Sequence, residues 1–430
     1  MSLYSWGNYP RLENRVIRYT GERRLAETIS KNSQMISYGN GRSYGDSALG
    51  DTILHMRNHD LFISFDDQTG LLRCKSGVLL SEILDVFVPR GWFLKITPGT
   101  KLITIGGAIA SDVHGKNHHV EGCFSECVLS FRIMTADGDI INCSREENAD
   151  MFHATCGGMG LTGIILEADI YLKKINSKNI VQTTVKTSDL KATFDAFSEY
   201  KHMPYSVAWI DCLAKGSKLG RCLLMAGDFA DDGDLTPNAD RKKDIPFNFP
   251  SFSLNNLSVS AFNTLYYAKG KNGVAKVDYD QFFYPLDAIN NWNRIYGRNG
   301  FTQYQFILPL DASYEGLEKI LKKIADSGKG SFLAVLKLYG KANENWLSFP
   351  MEGYSLALDF KIEHGLFDLL YKLDRIVLDY GGRIYLTKDV RVPEKTFEQG
   401  YPMIDKFREL REQTGMNRKF SSLQSRRVNI

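Results

Sequence analysis

Pro98-Gly99-Thr100-Lys101-Leu102-Ile103-Thr104-Ile105-Gly106-Gly107-Ala108-Ile109-Ala110-Ser111-Asp112-Val113-His114-Gly115-Lys116-Asn117-His118-His119 is the segment around which the rest of the chain is read. It joins a Pro-Gly turn, a Gly106-Gly107 pair, a run of small residues and three histidines without interruption. Small residues let a backbone come within hydrogen-bonding distance of something flat or charged, while a histidine and a lysine wait beside it to handle protons. The pattern reads as a cofactor seat. The competing reading makes a metal site of His114, His118 and His119, but no carboxylate or cysteine completes it.

Upstream, Gly39-Asn40-Gly41-Arg42-Ser43-Tyr44-Gly45-Asp46 sets three glycines and a serine around one arginine. Its backbone N–H groups can converge on an anion, with the arginine adding a charge-assisted contact. The plainer reading is a glycine-rich hairpin. Downstream, Gly158-x-Gly160-x-x-Gly163 matches a dinucleotide fingerprint in letters only. That fingerprint needs strand, glycines and then helix, whereas here a helix precedes and a strand follows, so a Rossmann site is rejected.

The surrounding composition belongs to a globular enzyme: 430 residues, 43% hydrophobic, 24% charged and a net charge of +3. The length calls for more than one domain. A near-neutral balance leaves no nucleic-acid footprint, and Arg241-Lys242-Lys243 and Arg426-Arg427 read as solvated surface. Seven cysteines without paired spacing point to a reducing compartment. No secretory signal and no apolar run of membrane-spanning length are visible, so a cytoplasmic location is expected.

Strand-like runs at 52–56, 61–65, 71–75, 128–135, 140–144 and 164–172 alternate with helices at 22–32, 80–90 and 148–156, and Asp137-Gly138 reads as a hairpin turn. From about residue 176 the composition shifts toward aromatics. Strands are expected near 207–211, 223–227, 302–309, 332–339 and 355–360, with helices at 314–327, 365–380 and 396–414. The 231–260 stretch reads as a long mobile loop, on which Phe247, Phe249 and Phe252 either touch an apolar partner or pack against the domain. Lys388 lies in a strand-like segment and, on composition alone, reads as a surface lysine. The fold class is α+β.

Taken together, the glycine loop at 39–46, Pro98-Gly99-Thr100, Thr104 to Ala110, His114-Gly115-Lys116-Asn117-His118-His119, Gly160-Leu161-Thr162-Gly163-Ile164-Ile165, Phe283-Tyr284-Pro285-Leu286-Asp287 and Tyr385-Leu386-x-Lys388-Asp389 resemble the vanillyl-alcohol-oxidase superfamily of FAD enzymes, and within it the decaprenylphosphoryl-ribose oxidases. The likeness runs in order along essentially the whole chain. It implies a two-domain FAD-binding (PCMH/VAO-type) fold with an α+β substrate cap of antiparallel sheet and helices. Residues 1–177 would form the FAD-binding domain and 178–382 the cap, while 383–430 return to the FAD-binding domain.

The resemblance implies an FAD seat made of Gly39, Gly41, Arg42, Ser43, Tyr44, Gly45, Asp46, Gly99, Thr100, Thr104, Ile105, Gly106, Gly107, Ala110, Ser111, His114, Gly115, Lys116, Asn117, Gly163, Ile165 and Tyr385. It implies Lys388, Tyr385 and His114 as the catalytic group, with Lys388 either a base or an electrostatic stabiliser. Trp209, Gln305, Lys337, Ser355 and Ala357 would line the substrate pocket, Lys337 meeting a phosphate. Some superfamily members attach flavin to a histidine where this chain has Arg42, so dissociable FAD is expected. Relatives carry a cysteine at Ala357, so thiol-directed inhibitors are expected to fail.

The implied reaction oxidises the 2-hydroxyl of a polyprenyl-phosphate ribose to the 2-keto sugar, half of an epimerisation toward an arabinose donor for cell-envelope glycans. A separate NAD(P)H-dependent reductase would complete it, and a lipid-linked substrate implies peripheral membrane contact through the 231–260 loop. The alternative is an alditol or aldonolactone oxidase acting on a soluble polyol. A catalytically silent flavin scaffold is disfavoured by Tyr385 and Lys388.

Overall fold

A computed structural model describes residues 2–238 and 242–430, which leaves Arg241 of the basic cluster and residues 239–240 of the 231–260 stretch outside the described residues. The N-terminal part builds two sheets. Strands β1 (Arg15–Arg18), β2 (Ile36–Tyr38) and β3 (Thr52–His55) form a small parallel sheet in the order β1-β3-β2. Strands β4 (Phe62–Asp66), β5 (Leu71–Lys75), β6 (Trp92–Leu94), β7 (Val128–Met134), β8 (Ile140–Ser144) and β9 (Ile164–Lys174) form an antiparallel one, ordered β4-β5-β9-β7-β8 with β6 pairing β9. Most of β9 is buried, as a strand paired on both edges should be. Gly138, at φ +90, closes the β7–β8 hairpin as its Asp-Gly pair predicts.

Five helices accompany these sheets: α1 (Glu22–Lys31), α2 (Leu80–Phe87), α3 (Ile105–Ala110), α4 (His118–Glu121) and α5 (Ala149–Thr155). The expected 80–90 helix stops at Phe87 and tightens into a 3-10 turn over Val88–Arg90, because Pro89 cannot donate to the preceding turn. α3 lies inside the 98–119 segment. Its Thr104 cap accepts the Gly107 N–H at 3.1 Å, and the Ile105 and Gly106 N–H groups go to the Val78 and Ser76 carbonyls.

The remainder adds β10 (Asn179–Thr187), β11 (Tyr205–Ile210), β12 (Cys222–Phe229), β13 (Lys243–Asp244), β14 (Gly273–Asp278), β15 (Ile289–Asn290), β16 (Phe301–Pro309), β17 (Ala334–Tyr339), β18 (Gly353–Lys361) and β19 (Arg383–Ile384). Eight of them form one antiparallel sheet, β14-β10-β12-β11-β17-β18-β16-β19, while β13 and β15 pair separately. Period-two alternation gives this sheet two faces. Ala208, Leu224, Phe306, Leu336 and Leu358 pack under three helices, α6 (Leu190–Glu199), α9 (Ser313–Ser327) and α10 (Leu366–Asp379), through residues such as Phe197, Ile320 and Leu373. The residues between them, Trp209, Met225, Gln305, Lys337, Ser355 and Ala357, face a cavity instead.

Three expectations need correction. The 231–260 stretch ends as the start of a 14-residue helix, α7 (Asn256–Lys269), capped by Asn255 Oδ1 accepting the Ser258 N–H at 3.0 Å and followed after β14 by the short α8 (Tyr279–Phe283). The expected 396–414 helix is two, α11 (Glu394–Gly400) and α12 (Ile404–Gln413), because Pro402 brings no N–H to a continuous helix. Lys388 lies in a 3-10 turn (Leu386–Lys388), since only Arg383–Ile384 pairs as strand. The tail folds back on the N-terminal sheets: Met35 bridges Phe420, and Leu423 N donates to Leu49 O at 2.7 Å.

Candidate active site

Between the N-terminal sheets and the free face of the eight-stranded sheet lies a cavity of about 640 Å³. One wall is the 37–44 turn, the 98–116 segment and Gly160, Gly163 and Ile165; the opposite wall is the sheet; Tyr385, Thr387 and Lys388 close one end. Among the described residues, the backbone N–H groups of Asn40, Gly41, Arg42 and Ser43 meet no protein acceptor. Four adjacent unpaired donors are a nest for an anion. A Cβ at Gly39 would overlap the Thr104 side chain, and one at Gly106 would lie 3.1 Å from Ser76 Cβ, so glycine is what lets these segments of one wall pack together.

Arg42 stacks its guanidinium on Trp6 at 4.1 Å and leaves Nε without a partner. Burial depresses its pKa, with Asp287 partly opposing. Asp287 in turn fixes the 98–101 turn, accepting from Thr100 Oγ1 at 2.8 Å and from Lys101 N at 2.8 Å.

The other end holds the groups able to move protons. Gln305 offers its amide nitrogen to His114 Nε2 at 3.2 Å and to Tyr339 Oη and Ser355 Oγ at 3.4 Å. With the amide as donor, His114 Nε2 accepts and the proton resides on Nδ1, which finds no protein acceptor. Burial drives the His114 pKa well below its usual value, and the Lys337, His118 and Lys388 charges push the same way, so the ring is neutral. Tyr385 stacks on Phe349 at 4.6 Å and donates its hydroxyl to the Ser111 carbonyl at 3.0 Å.

Lys388 Nζ stands 3.8 Å over the Tyr44 ring. Burial brings its pKa down to about 7, the Asp359 carboxylate opposing and the Lys337 charge reinforcing. Burial likewise lowers Lys337 to about 8, and Lys337 Nζ has no hydrogen-bond or ion-pair partner among the described residues. Strand register sets Lys337 opposite Ser355, and Ala357 between Val335 and Gln305.

Of the residues expected from sequence, the cavity brings together Lys388, Tyr385 and His114, all five of the substrate set, and most of the FAD set. Five do not line it. Asp46 turns away to pair with Arg427 at 2.7 Å, and Gly45 presses on the Asp389 carbonyl. Ile105 is core, Gly115 backs onto Thr97, and Asn117 donates to Lys95 O at 2.9 Å. His118 and His119 are held elsewhere, His118 Nδ1 by Gly340 N at 3.1 Å and His119 Nε2 against Met203 O at 2.9 Å.

The site expectations lacked Asp359, which accepts from Gln303 Nε2 at 2.6 Å and Tyr296 Oη at 3.2 Å and is lifted by burial to about 7. A carboxylate within an apolar strand was the available signal. All seven cysteines are buried, and among the described residues none lines the cavity.

Residues 22–144 match the family described as FAD binding domain. The chain is 36% identical over 412 residues to decaprenylphosphoryl-beta-D-ribose oxidase of Mycolicibacterium smegmatis, covering 92% of this chain and 89% of that one. It is 27% identical to an uncharacterised Streptomyces coelicolor protein, over 82% of this chain and all of that one. Likeness to mouse L-gulonolactone oxidase, 28%, covers 40% of this chain and 38% of that enzyme. The unpaired 40–43 donors, the glycine-lined wall and the polar far end fit FAD.

Proposed function

The chain belongs to the decaprenylphosphoryl-β-D-ribose oxidase family of FAD-linked enzymes, and from that premise we propose that it oxidises the 2-hydroxyl of a polyprenyl-phosphate-linked ribose to the 2-keto sugar. The observation that carries this reading is the pairing of Lys337, a cation without a protein anion among the described residues, with Lys388 in one cavity. Bound FAD supplies a two-electron acceptor for the C–H bond.

The chain's own residues do the rest. The 40–43 N–H groups and Arg42 hold the cofactor's phosphates, and the glycines of the 98–119 segment admit its flat part. Lys337 holds the substrate phosphate. His114 and Gln305, bonded to each other at 3.2 Å, shape the seat of the sugar, and Tyr385, locked by its stacking and its bond to Ser111 O, keeps water from the reacting carbon. Neutral Lys388 takes the hydroxyl proton on Nζ, and its nearness to neutrality at pH 7 suits a base. The proposed division is a cofactor domain over 1–177, a cap over 178–382 and a returning tail over 383–430. Mass analysis of the product tests the reaction: loss of two hydrogens with the keto group at C2 is expected, and oxidation at another carbon contradicts it. The soluble-polyol alternative predicts turnover of free alditols or lactones instead.

Dissociable FAD is part of the proposal, because Arg42 stands where some superfamily members carry the flavin-linked histidine and is occupied by Trp6. Acid precipitation should leave the flavin in the supernatant; flavin pelleting with the protein contradicts this. The product would pass to a separate NAD(P)H-dependent reductase, since the 158–163 glycines precede strand β9 and end at the cavity wall.

Peripheral membrane contact is the third part. Among the described residues no helix is long and apolar enough to cross a membrane. Yet Phe252 is 77% exposed and Leu257 80%, at the entry to α7, whose Tyr266 lines the cavity. A polyprenyl tail longer than the cavity has to leave along such a surface. The partition coefficient onto anionic phospholipid vesicles, read by cosedimentation, should fall more than about tenfold in Phe252→Ser/Leu257→Ser, each methylene no longer inserted being worth about 0.8 kcal/mol; equal cosedimentation of both forms contradicts it.

A further inference from the structure

The chain's final helix, α13 (Leu423–Arg427), carries two arginines that read together in sequence as solvated surface and that the fold separates. Arg426 does reach outward, to exposed Asp51 at 2.9 Å. Arg427 turns inward: Nη2 donates to Asp46 Oδ1 at 2.7 Å, while Nη1 donates to Asp389 Oδ2 at 2.8 Å and to the Val392 carbonyl at 2.6 Å. Asp46 and Asp389 are both buried.

These carboxylates belong to the two loops that matter most. Asp46 ends the turn whose 40–43 N–H groups are unpaired, and Asp389 follows Lys388 directly. The loops also touch, Tyr44 N donating to Thr387 O at 3.2 Å, with Lys388 Nζ over the Tyr44 ring. Gln424, one turn before Arg427, donates to the Leu386 carbonyl at 2.7 Å, and Asp389 Oδ1 accepts the Arg391 and Val392 N–H groups.

We propose that Arg427 is a positioning residue, a single guanidinium that sets the cofactor loop and the Lys388 turn in fixed relation. Its planar fork can serve two carboxylates at once, which a lysine's point charge cannot do with the same geometry. Without it two buried anions would face each other unscreened and the loops would move apart. Burial already lifts Asp46 to about 6, with Arg427 opposing and Asp389 adding. The role rests on the Lys388 assignment above, but its cofactor half needs no substrate and stands or falls apart from it.

The test titrates apoprotein with FAD, read by flavin fluorescence, and measures turnover at saturating FAD. Arg427→Gln should weaken FAD about tenfold or more, the loss expected for charge-assisted hydrogen bonds. It should also lower kcat and kcat/KM together by about tenfold, the mark of an interaction made in the transition state. Arg427→Lys should recover only part of either. Arg426→Gln, on the same helix, should leave both unchanged. Native FAD affinity and native kcat in Arg427→Gln would overturn the proposal whatever its melting temperature, as would equal losses in Arg426→Gln. If Arg427→Gln does not fold, Asp46→Asn decides: FAD binding weakened several-fold upholds the link, and native binding overturns it.

Discussion

Lys388→Ala should lose about 10²- to 10⁴-fold in kcat, the range a positioned base contributes, while the flavin spectrum of the purified protein stays that of a bound cofactor. The expectation combines position with ionisation. Lys388 is the group at the closed end of the cavity whose nitrogen is close to neutral at working pH, and the Tyr44 ring and the Thr387 carbonyl contact keep its turn in place. A base must be unprotonated and Lys337 must stay charged, so kcat/KM should rise with pH through about 7 and fall again above about 8. Lys388→Arg, always charged, should lack that rise.

The same depression has a stability consequence. The folded pKa lies below the free-lysine value, so between about 7 and 10.5 the unfolded chain binds a proton that the folded chain does not, and stability rises with pH across that window. The cost of burying the cation is fully present below about pH 7. Lys388→Met apoprotein should therefore gain more in Tm at pH 6 than at pH 10. Near-normal turnover in Lys388→Ala removes the residue from the chemistry; an equal Tm gain at both pH values removes the depressed pKa.

Lys337→Met should raise KM for a phosphate-bearing substrate by about 10- to 100-fold, the worth of one charge-assisted contact, with a smaller effect on kcat. It should also raise the melting temperature of the apoprotein. A buried ammonium with no anionic partner is held against its hydration preference, and an unbranched apolar side chain of similar length relieves that. Such a residue is a cost that function explains. An unchanged KM would place the phosphate elsewhere, and a lower melting temperature would mean that Lys337 has a structural partner.

The cofactor seat was legible in sequence because its chemistry depends on what is missing. Gly39, Gly41 and Gly106 mark places where a side chain cannot go, and backbone donors need no particular letters beyond that. The substrate face was legible where polar residues interrupt apolar strands, as Gln305, Lys337 and Ser355 do. What failed was direction. Asp46 is three residues beyond the donors yet points to Arg427, because a loop, unlike a strand, has no fixed alternation.

Lys388 read as strand because Ile384, Tyr385 and Leu386 are apolar, although only Arg383–Ile384 find a partner strand. Asp359 stood out among its apolar neighbours but showed no partner in sequence, and Arg427 was hidden by Arg426. The partners of both, Gln303 and Asp46, lie far away in sequence, and only the fold brings them near.

The central claim is that this cavity holds FAD against the 2-hydroxyl of a polyprenyl-phosphate ribose. Anaerobic mixing of the flavin-loaded protein with polyprenyl-phosphoryl ribose, beside free ribose, xylitol and an aldonolactone, tests it most directly through the flavin absorbance. Bleaching by the lipid-linked sugar and persistent colour with the free compounds is the predicted result. Bleaching by a free polyol or lactone, with colour persisting on the lipid-linked sugar, would contradict it.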